Sequence, residues 1–409
     1  MRVLCLTSRL PYPPDRGDRL RAFHLIEHLS REHELWLLSF VASEEERRRA
    51  EELRRYCRQV HTVLMTPIRS AVTVAFNAWR REPLQALYYR SREMQRLVGE
   101  VLHTARFDVV YVHLFRMVPY VANRPGLYRI VDLTDVISRE IRRSLPYRGV
   151  FSRLIYAVEA PRIQRYERWV AQNFEEVWLI SGADRRVLAA ACPGANLQVV
   201  PNGVDQERFY PTGQPCEPNS LIFVGHLRVF HNIDAAIHLV QEVLPRVRQE
   251  IPDCTLKIVG ADPHPRVRRL ADDPAVTVTG FVPNLNEHLN RSAVFVAPLR
   301  FAAGVQNKVL EAMATARPVV TTSVVNEGIG ATPGRELLVA DDPETMARQI
   351  VTLLRDEPLR QSLGREGLEF VRRSFSWDHA LKRMRVIGNR LLVGRVARAG
   401  PSSRARDGP

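Results

Sequence analysis

The sequence predicts an α/β protein built from two doubly wound parallel-sheet domains. Short apolar segments typical of buried strands alternate with segments whose apolar residues recur at helical spacing. This alternation stops in a proline-rich stretch at 211–219 and restarts at residue 220. Because alternating strands and helices form parallel sheets covered by helices, we expect one such domain on each side of the stretch.

The predicted domain boundaries follow these breaks. A Rossmann-like domain covers residues 1–210, and 211–219 form the linker. A second Rossmann-like domain covers 220–375, a last helix covers 376–392, and 393–409 form a disordered basic tail. Ligands of open α/β sheets bind at the carboxyl ends of the strands. Two such edges facing a central cleft predict binding sites for two substrates.

Composition favours a globular protein with an anionic partner. Hydrophobic residues make up 45% of the chain and charged residues 25%, close to globular averages. The formal net charge of +14 favours phosphorylated ligands, nucleic acid or an acidic membrane surface. No nucleic-acid-binding module is recognisable, so we expect no nucleic-acid partner. Five scattered cysteines without a C-x-x-C pair indicate neither a disulfide framework nor a zinc site, and favour a reducing cytosol.

Membrane contact is expected to be peripheral, because no uncharged apolar stretch reaches the length of a membrane span. Residues 68–89 interleave apolar and aromatic residues with arginines. This pattern fits a helix lying in an anionic membrane surface, although helices packed on the N-terminal sheet are the favoured interpretation. The predicted location is the cytoplasm, with the inner face of the cytoplasmic membrane as a peripheral site.

The strongest functional signal is the segment 293–322, AVFVAPLRFAAGVQNKVLEAMATARPVVTT. A strand leads into a loop containing Gly304, and a helix begins near Asn307. The free N–H groups and positive dipole end of a helix N-terminus suit a diphosphate, and Lys308 adds a charge in the first turn. Glu311, one turn later, is expected to accept hydrogen bonds from ribose hydroxyls. The alternative is an ordinary amphipathic helix with a solvated Lys and Glu.

Three further segments carry polar residues at the predicted ends of strands. The strand in LIFVGHLRVFHNIDAAIHL (221–239) ends in Gly225 and is followed by a helix. The segment VVPNGVDQERF (199–209) has turn chemistry, in which Asn202 is expected to be structural. His113 ends the strand in DVVYVH, where it is expected to face the cleft, although a lone His is as often structural.

Together these segments resemble the donor-site signature of retaining GT-B glycosyltransferases of family 4, and the resemblance extends to about residue 392. It implies a GT-B fold with the donor in the C-terminal domain, the acceptor in the N-terminal domain, and a last helix that crosses back to the N-terminal domain. The FSW at 375–377 resembles the motif before that helix. The implied donor-binding residues are Gly225, His226, Arg228, His231, Gly304, Val305, Gln306, Asn307, Lys308 and Glu311.

The sequence departs from the family pattern at three positions. A family Glu near the donor sugar corresponds to Ala303, and an Arg and a Lys that grip the diphosphate correspond to His226 and His231. Neither histidine is a permanent cation at neutral pH. These departures leave open whether activity is lost or only altered.

On the N-terminal side, His113 matches a family His beside the reacting sugar. The resemblance therefore implies a catalytic set of His113, Lys308 and Glu311. The proline-rich start SRLPYPPDRGDRLR (8–21) is similar to that of bacterial exopolysaccharide sugar transferases, including those near exosortase loci. The residues expected on the acceptor side are Arg16, Gly17, Asp132 and Asp135.

The resemblance implies a hexosyltransferase of class EC 2.4 that moves a sugar from a UDP- or GDP-sugar to a saccharide or lipid-linked acceptor. It implies retention of configuration and a role in bacterial exopolysaccharide or cell-surface glycan synthesis. No D-x-D sits at a predicted strand end, so we expect neither a metal nor another cofactor. The alternatives are a non-catalytic nucleotide-sugar-binding protein of the same fold and a nucleotide-sugar epimerase. The nucleotide base, sugar, acceptor and oligomeric state stay open.

Overall fold

A computed structural model describes residues 1–14, 17–124, 126–377 and 382, and it confirms the predicted α/β architecture. The strands of the described chain form two parallel sheets. The strands of the first sheet are β1 (Arg2–Thr7), β2 (Glu34–Val41), β3 (Gln59–Leu64), β4 (Val109–His113), β5 (Tyr128–Thr134), β6 (Glu176–Leu179) and β7 (Leu197–Val199). The strands of the second sheet are β8 (Ser220–Val224), β9 (Thr255–Val259), β10 (Val276–Gly280), β11 (Val294–Ala297), β12 (Val319–Thr321) and β13 (Leu338–Val339).

Both sheets have the strand order of doubly wound folds. The first sheet has the order β3-β2-β1-β4-β5-β6-β7, and the second has the order β10-β9-β8-β11-β12-β13. The winding direction reverses between β1 and β4 in the first sheet and between β8 and β11 in the second. Ligands of such sheets bind beyond the carboxyl ends of the strands at these reversals. The topology therefore marks one candidate site in each sheet.

Helices connect the strands. The helices of the N-terminal half are α1 (Gly17–Leu29), α2 (Glu44–Arg49), α3 (Pro67–Asn77), α4 (Leu84–Tyr88), α5 (Arg92–Thr104), α6 (Ile137–Ser144), α7 (Val150–Asn173) and α8 (Gly182–Ala191). Those of the C-terminal half are α9 (Phe230–His238), α10 (Leu244–Glu250), α11 (Pro265–Arg268), α12 (Leu285–Arg291), α13 (Asn307–Ala314), α14 (Ser323–Ile329), α15 (Pro343–Arg355) and α16 (Glu357–Ser374). Short 3-10 helices lie at Ala50–Arg55, Phe115–Tyr120, Leu145–Tyr147 and Arg269–Asp272. Ser43, Ser91, Ser181, Asp342 and Asp356 cap helices by accepting a backbone N–H.

Prolines divide two helices that periodicity predicts to be continuous. The predicted helical stretch 138–173 is broken between α6 and α7, where Pro146 and Gly149 lie. The predicted helix 233–250 is interrupted by a π-helical turn, Leu239–Val243, immediately before Pro245 enters α10. Proline has no backbone N–H to donate, and at these two places the regular hydrogen-bond pattern is broken, whereas α7 continues through Pro161.

The central strands are buried along almost their whole length. Every residue of β4, β8 and β11 is buried, and in β1 only Arg2 is exposed. Strands covered on both faces are apolar throughout rather than alternating, which is why short continuous apolar runs predict them. The polar residues that follow these strands therefore lie at the sheet edges, where candidate ligands are expected.

Contacts divide the described chain into two compact units. The first unit contains Met1–Ala78 and Gln85–Asp132, and the second contains Trp79–Leu84 and Leu133–Trp377. The predicted domain boundaries stay a prediction. Apart from Ser376, Trp377 and Lys382, the predicted last helix at 376–392 and the tail at 393–409 lie outside the described residues. Among the described helices, none combines the length and the apolar character needed to cross a bilayer.

Within the second unit, the PNGVD segment packs against the FSW segment. The Val204 amide donates to the Phe375 carbonyl at 2.8 Å. A Cβ atom added to Gly203 would lie 2.5 Å from both the backbone nitrogen and a ring carbon of Trp377. Because of this close approach, only glycine fits at position 203 without displacing Trp377.

We predict that Gly203→Ala lowers the free energy of unfolding by about 1–3 kcal/mol, because the new methyl group must displace the backbone at Trp377. Urea unfolding of the full chain measures this. Gly149→Ala is the matched control, since its added Cβ would meet no atom within 4 Å. The control is expected to change stability by no more than about 0.5 kcal/mol. Equal stability of both variants would mean that the Gly203 contact relaxes without cost.

Candidate functional site

The candidate site of the second unit lies at the reversal between β8 and β11. All ten predicted donor-site residues follow one of these two strands in the chain. Gly225, His226 and Arg228 follow β8, and His231 lies in the first turn of α9. Gly304, Val305 and Gln306 lie in the loop after β11, and Asn307, Lys308 and Glu311 lie in α13. The structure thus brings together at one sheet edge two segments that are far apart in sequence.

A buried asparagine connects the two segments. The side-chain amide of Asn232, in α9, donates to the His226 carbonyl at 3.1 Å. Its carbonyl oxygen accepts a hydrogen bond from the Lys308 ammonium of α13. A Cβ atom on Gly225 would lie 2.7 Å from the Asn232 side chain, so glycine is needed there. Sequence reasoning missed Asn232, although its place beside His231 at a helix start was a usable signal.

The Lys308 ammonium is only partly exposed. It lies 5.5 Å from the centroid of the Phe223 ring. Burial lowers the pKa of Lys308 to about 7, although the charges of Glu311 and Glu140 act in the opposite direction. A bound anion would favour the charged form of this group.

Glu311 follows Lys308 by three residues and lies on the same side of α13. Burial raises the pKa of Glu311 to about 7, against the charges of Arg208 and Lys308. Within the part of the chain that the structure describes, the Glu311 carboxylate makes neither a hydrogen bond nor an ion pair. Arg208, which sequence reasoning passed over, is exposed and lies 5.4 Å from the Phe209 ring centroid. Its signal was its position inside the PNGVD…F segment.

The two histidines that the sequence resemblance aligns with an Arg and a Lys each lie beside a carboxylate. His231 Nδ1 and Glu140 Oε1, from α6, are 3.2 Å apart. His226 Nε2 and Asp262 Oδ2 are 3.5 Å apart. Burial raises the pKa of Glu140, but the hydrogen bond with His231 and the charges of Arg148 and Lys308 outweigh it, and the pKa is lowered. The exposed Arg228 makes no hydrogen bond or ion pair within residues 1–14, 17–124, 126–377 and 382.

The loop before α13 is packed closely at Gly304. This residue has φ of +54°, a left-handed conformation that favours glycine. A Cβ atom here would lie 1.6 Å from Asp135 Oδ1, and one on Gly328 would lie 1.8 Å from the Gly304 carbonyl oxygen. The structure therefore brings Asp135, predicted on the acceptor side, against the donor loop. The residue that Asp135 approaches, Gly304, follows Ala303 in the sequence. Ala303 is the position that the resemblance aligns with a Glu.

Hydrogen bonds fix the rest of this loop and the start of α13. The Gln306 side-chain amide donates to the Ala303 carbonyl at 2.9 Å, and Val305 is buried. Asn202 donates to the Asn307 side-chain oxygen at 3.0 Å, which agrees with a structural role for Asn202. Among the described residues, no side chain caps the N-terminus of α13. The Val309 N–H donates to the Gln306 carbonyl at 2.9 Å, so the N–H groups of Asn307 and Lys308 are the ones available to an anionic ligand.

The predicted residues of the first unit lie at the edge of the other sheet. His113 is buried at the end of β4, with its ring centroid 6.4 Å from that of Tyr111. Asp132 is fully buried and accepts from Arg21 at 2.7 Å and from Tyr111 at 2.5 Å. These contacts give Asp132 a structural role in the sheet edge, and acceptor binding by Asp132 stays a prediction. Gly17 begins α1, and Arg16 lies outside the described residues.

Metal-ligating side chains are not grouped in the described ranges. Among residues 1–14, 17–124, 126–377 and 382, no set of three or more His, Cys, Asp or Glu side chains is arranged to hold a metal ion. The expectation that neither a metal nor another cofactor takes part stays a prediction.

Residues 218–356 match the family model described as "Glycosyl transferases group 1". The matched span contains all ten predicted donor-site residues. Over 391 residues the chain is 22% identical to an uncharacterised 44.6 kDa protein in the cps region of Klebsiella pneumoniae, covering 91% of this chain and 96% of that protein. Over 210 residues it is 29% identical to D-inositol 3-phosphate glycosyltransferase of Corynebacterium efficiens, covering 48% of this chain and 49% of that enzyme.

A solved structure shares the fold over nearly the whole chain. HepE of Anabaena in complex with UDP-glucose superposes with a TM-score of 0.64, covering 96% of this chain and 100% of that protein at 14% identity. This likeness bears on the fold, and it agrees with the two parallel sheets described above.

We predict that Glu311→Gln stabilises the protein at pH 8 and not at pH 5. The folded protein holds the pKa of this carboxyl near 7, above its ordinary value of 4.5. Its contribution to stability is therefore present at low pH and is lost as the pH rises from about 4.5 through 7. A shift of this size corresponds to about 3 kcal/mol for a fully buried group. Because Glu311 is partly exposed and solvent screens its charge, the expected gain at pH 8 is about 1–2 kcal/mol, measured by urea unfolding. The exposed Glu207→Gln is the control, and an equal gain there would contradict the assignment to Glu311.

Proposed function

We propose that this chain is a group 1 glycosyltransferase with the GT-B fold. It moves a hexosyl group from a nucleotide-diphosphate sugar to a saccharide or lipid-linked acceptor, and the configuration of the sugar is retained. The proposed process is the synthesis of a bacterial exopolysaccharide or cell-surface glycan. The relative in the cps region of Klebsiella pneumoniae supports that process.

One observation carries the donor assignment. An uncapped helix N-terminus, a half-buried ammonium and a half-buried carboxylate without a partner among the described residues lie within one turn of α13. A diphosphate would lie at the helix N-terminus beside Lys308, because both favour negative charge. The ribose hydroxyls would then donate to Glu311, which supplies the acceptor atoms that a sugar hydroxyl needs. The UDP-glucose complex of the similarly folded Anabaena protein is the reason to test UDP-sugars first.

The proposed reaction needs no nucleophile from the protein. The acceptor oxygen attacks the anomeric carbon while the bond from that carbon to the diphosphate oxygen breaks. The acceptor proton passes to the departing diphosphate oxygen. Lys308 and the α13 N–H groups would stabilise the charge that develops on the diphosphate, which is the main contribution expected from the protein. His113 would hydrogen-bond a hydroxyl of the donor sugar, and Asp135 would lie on the acceptor side.

We place the reaction in the cytoplasm, at the inner face of the cytoplasmic membrane when the acceptor is lipid-linked. Nucleotide-sugar turnover tests the proposed activity against its rivals. Transfer of labelled sugar to an acceptor supports it. Binding of the nucleotide sugar with neither hydrolysis nor transfer would indicate a binding protein, and formation of the epimeric nucleotide sugar without an acceptor would indicate an epimerase.

We predict that Glu311→Ala weakens nucleotide-sugar binding by at least about tenfold while the fold is kept, since a lost charged hydrogen bond costs about 1.5–3 kcal/mol. A thermal-shift titration with UDP-, GDP- and ADP-sugars measures the affinity, because a ligand of the native state raises its apparent stability. Glu207→Ala, an exposed carboxylate outside α13, is the control. Unchanged affinity in Glu311→Ala would remove Glu311 from the donor site.

We also predict that donor binding takes up a proton at pH 8. The pKa of Lys308 is about 7 without ligand, so the amine is mostly neutral at pH 8, and a diphosphate raises that pKa. Affinity should therefore fall as the pH rises from 7 to 9, by up to about tenfold per pH unit. Calorimetry in two buffers of different ionisation enthalpy measures the uptake. Lys308→Met should bind more weakly and take up no proton; the same uptake in this variant would contradict the prediction.

A further inference from the structure

The first half of α7 exposes a stripe of large apolar side chains. None of residues 150–158 is buried, and the buried residues of this helix begin at Glu159. The stripe, called here the apolar face of α7, consists of Val150, Phe151, Leu154, Ile155 and Val158, with exposed fractions of 79%, 78%, 64%, 43% and 57%. Their spacing places them on one side of the helix. Soluble proteins rarely expose contiguous apolar patches of this kind without a partner.

The residues of α7 that follow the apolar face pack against the rest of the unit. The Glu159 side chain accepts the Leu84 amide at 2.6 Å. The next residue, Ala160, and Ile163 pack with Ile141 of α6 in a small apolar cluster, against which the half-buried Tyr156 also packs. The helix is therefore fixed from Tyr156 onward, while the five residues of the apolar face remain exposed.

The charged residues in the segment that carries the apolar face are of one sign. From residue 145 to residue 158 the sequence LPYRGVFSRLIYAV contains two arginines and no acid. Arg153 is exposed and fixes the turn before the helix by donating to the Leu145 and Pro146 carbonyls at 3.0 Å each. In the same unit Trp79 is 78% exposed, and Arg80, Arg81 and Glu82 follow it. The apolar face of α7, whose own segment has arginines as its charged residues, fits an anionic surface.

We propose that the apolar face of α7 binds the anionic surface of a phospholipid bilayer, with its apolar side chains among the acyl chains and its arginines at the phosphates. A second copy of this chain is a poorer occupant, because a symmetric contact would bring arginines against arginines. Amphipathic helices with basic flanks bind membranes through buried apolar area together with attraction to anionic lipids. This inference goes beyond the proposed glycosyl transfer and does not depend on it.

A second feature, in the first unit, supports the same partner independently. Ile68 and Phe76 of α3 are 77% and 76% exposed, and Val72 between them is 48% exposed. These residues recur every fourth position, and Arg69 is the charged residue of the helix. Of the two interpretations of residues 68–89 from sequence, the exposure of α3 agrees with a membrane surface. The buried Ala86, Leu87 and Tyr89 agree with packing in the core.

Sedimentation of the full chain with vesicles tests the proposal. Vesicles of phosphatidylcholine alone are compared with vesicles containing about one third phosphatidylglycerol. We expect binding to the anionic vesicles and at least about tenfold weaker binding to the neutral ones, since each arginine near an anionic surface contributes about 1 kcal/mol. We also expect binding to weaken between 0.1 and 0.5 M salt. No sedimentation with anionic vesicles would overturn the proposal.

The double variant Phe151→Glu/Leu154→Glu assigns the binding to this face. It should bind anionic vesicles at least about tenfold more weakly, because two buried apolar side chains are replaced by carboxylates. Phe281→Glu is the matched control, since Phe281 is an exposed aromatic residue, 73% accessible, in the same unit. Equal loss in both variants overturns the assignment to α7.

Light scattering without lipid measures the mass of the protein and so tests whether a second copy of the chain covers the apolar face of α7. If the protein is a dimer that the double variant converts to monomers, the apolar face of α7 is a protein interface and the proposal is wrong. An unchanged mass in the variant, together with its lost vesicle binding, supports the proposal. Thermal shifts with nucleotide sugars show that the variant is folded, so failure of lipid binding and failure of donor binding are seen separately.

Discussion

The hydrogen bond from the Lys308 ammonium to Asn232 is the contact on which the candidate donor site depends. Asn232 simultaneously donates to the His226 carbonyl, and its side chain packs where a Cβ of residue 225 would lie. A buried amide left without these partners would cost about 1–3 kcal/mol, so the contacts form or fail together. They fix the turn after β8 and the start of α13 relative to each other. A cation and a helix N-terminus are thereby held toward the same place before any ligand arrives.

The same arrangement is electrostatically costly in the absence of ligand. Burial lowers the pKa of Lys308 to about 7 and raises that of Glu311 to about 7. The charged form of each group is therefore less stable in the protein than it would be in water. The α13 dipole also opposes a cation in the first turn, by about 0.3–1 kcal/mol. A protein selected for stability alone would not keep both groups there. Perturbed pairs of this kind are typical of binding and catalytic sites.

Local patterns in the sequence were sufficient for the central strands and the loop before α13, because these features are set by neighbouring residues, but they joined helices that the structure separates at prolines. Contacts between distant residues were not predictable. Arg21 and Asp132 are 111 residues apart and His231 and Glu140 are 91 apart, and only the topology brings each pair together. The apolar face of α7 was likewise not predicted from the sequence. Which part of a helix the other elements leave exposed is set by tertiary packing and not by the residues of that helix alone.

The departures from the family pattern take on a physical meaning in this structure. His226 and His231 stand where the family has cations, and each lies within 3.5 Å of a carboxylate, Asp262 or Glu140. Even when protonated, such a pair carries little net charge toward a diphosphate. The positive potential that a diphosphate requires must therefore come mainly from Lys308 and the α13 N–H groups, with the exposed Arg228 as a further source. Under the proposed function, a bound diphosphate would raise the pKa of Lys308 from about 7 and so increase the positive charge of the site.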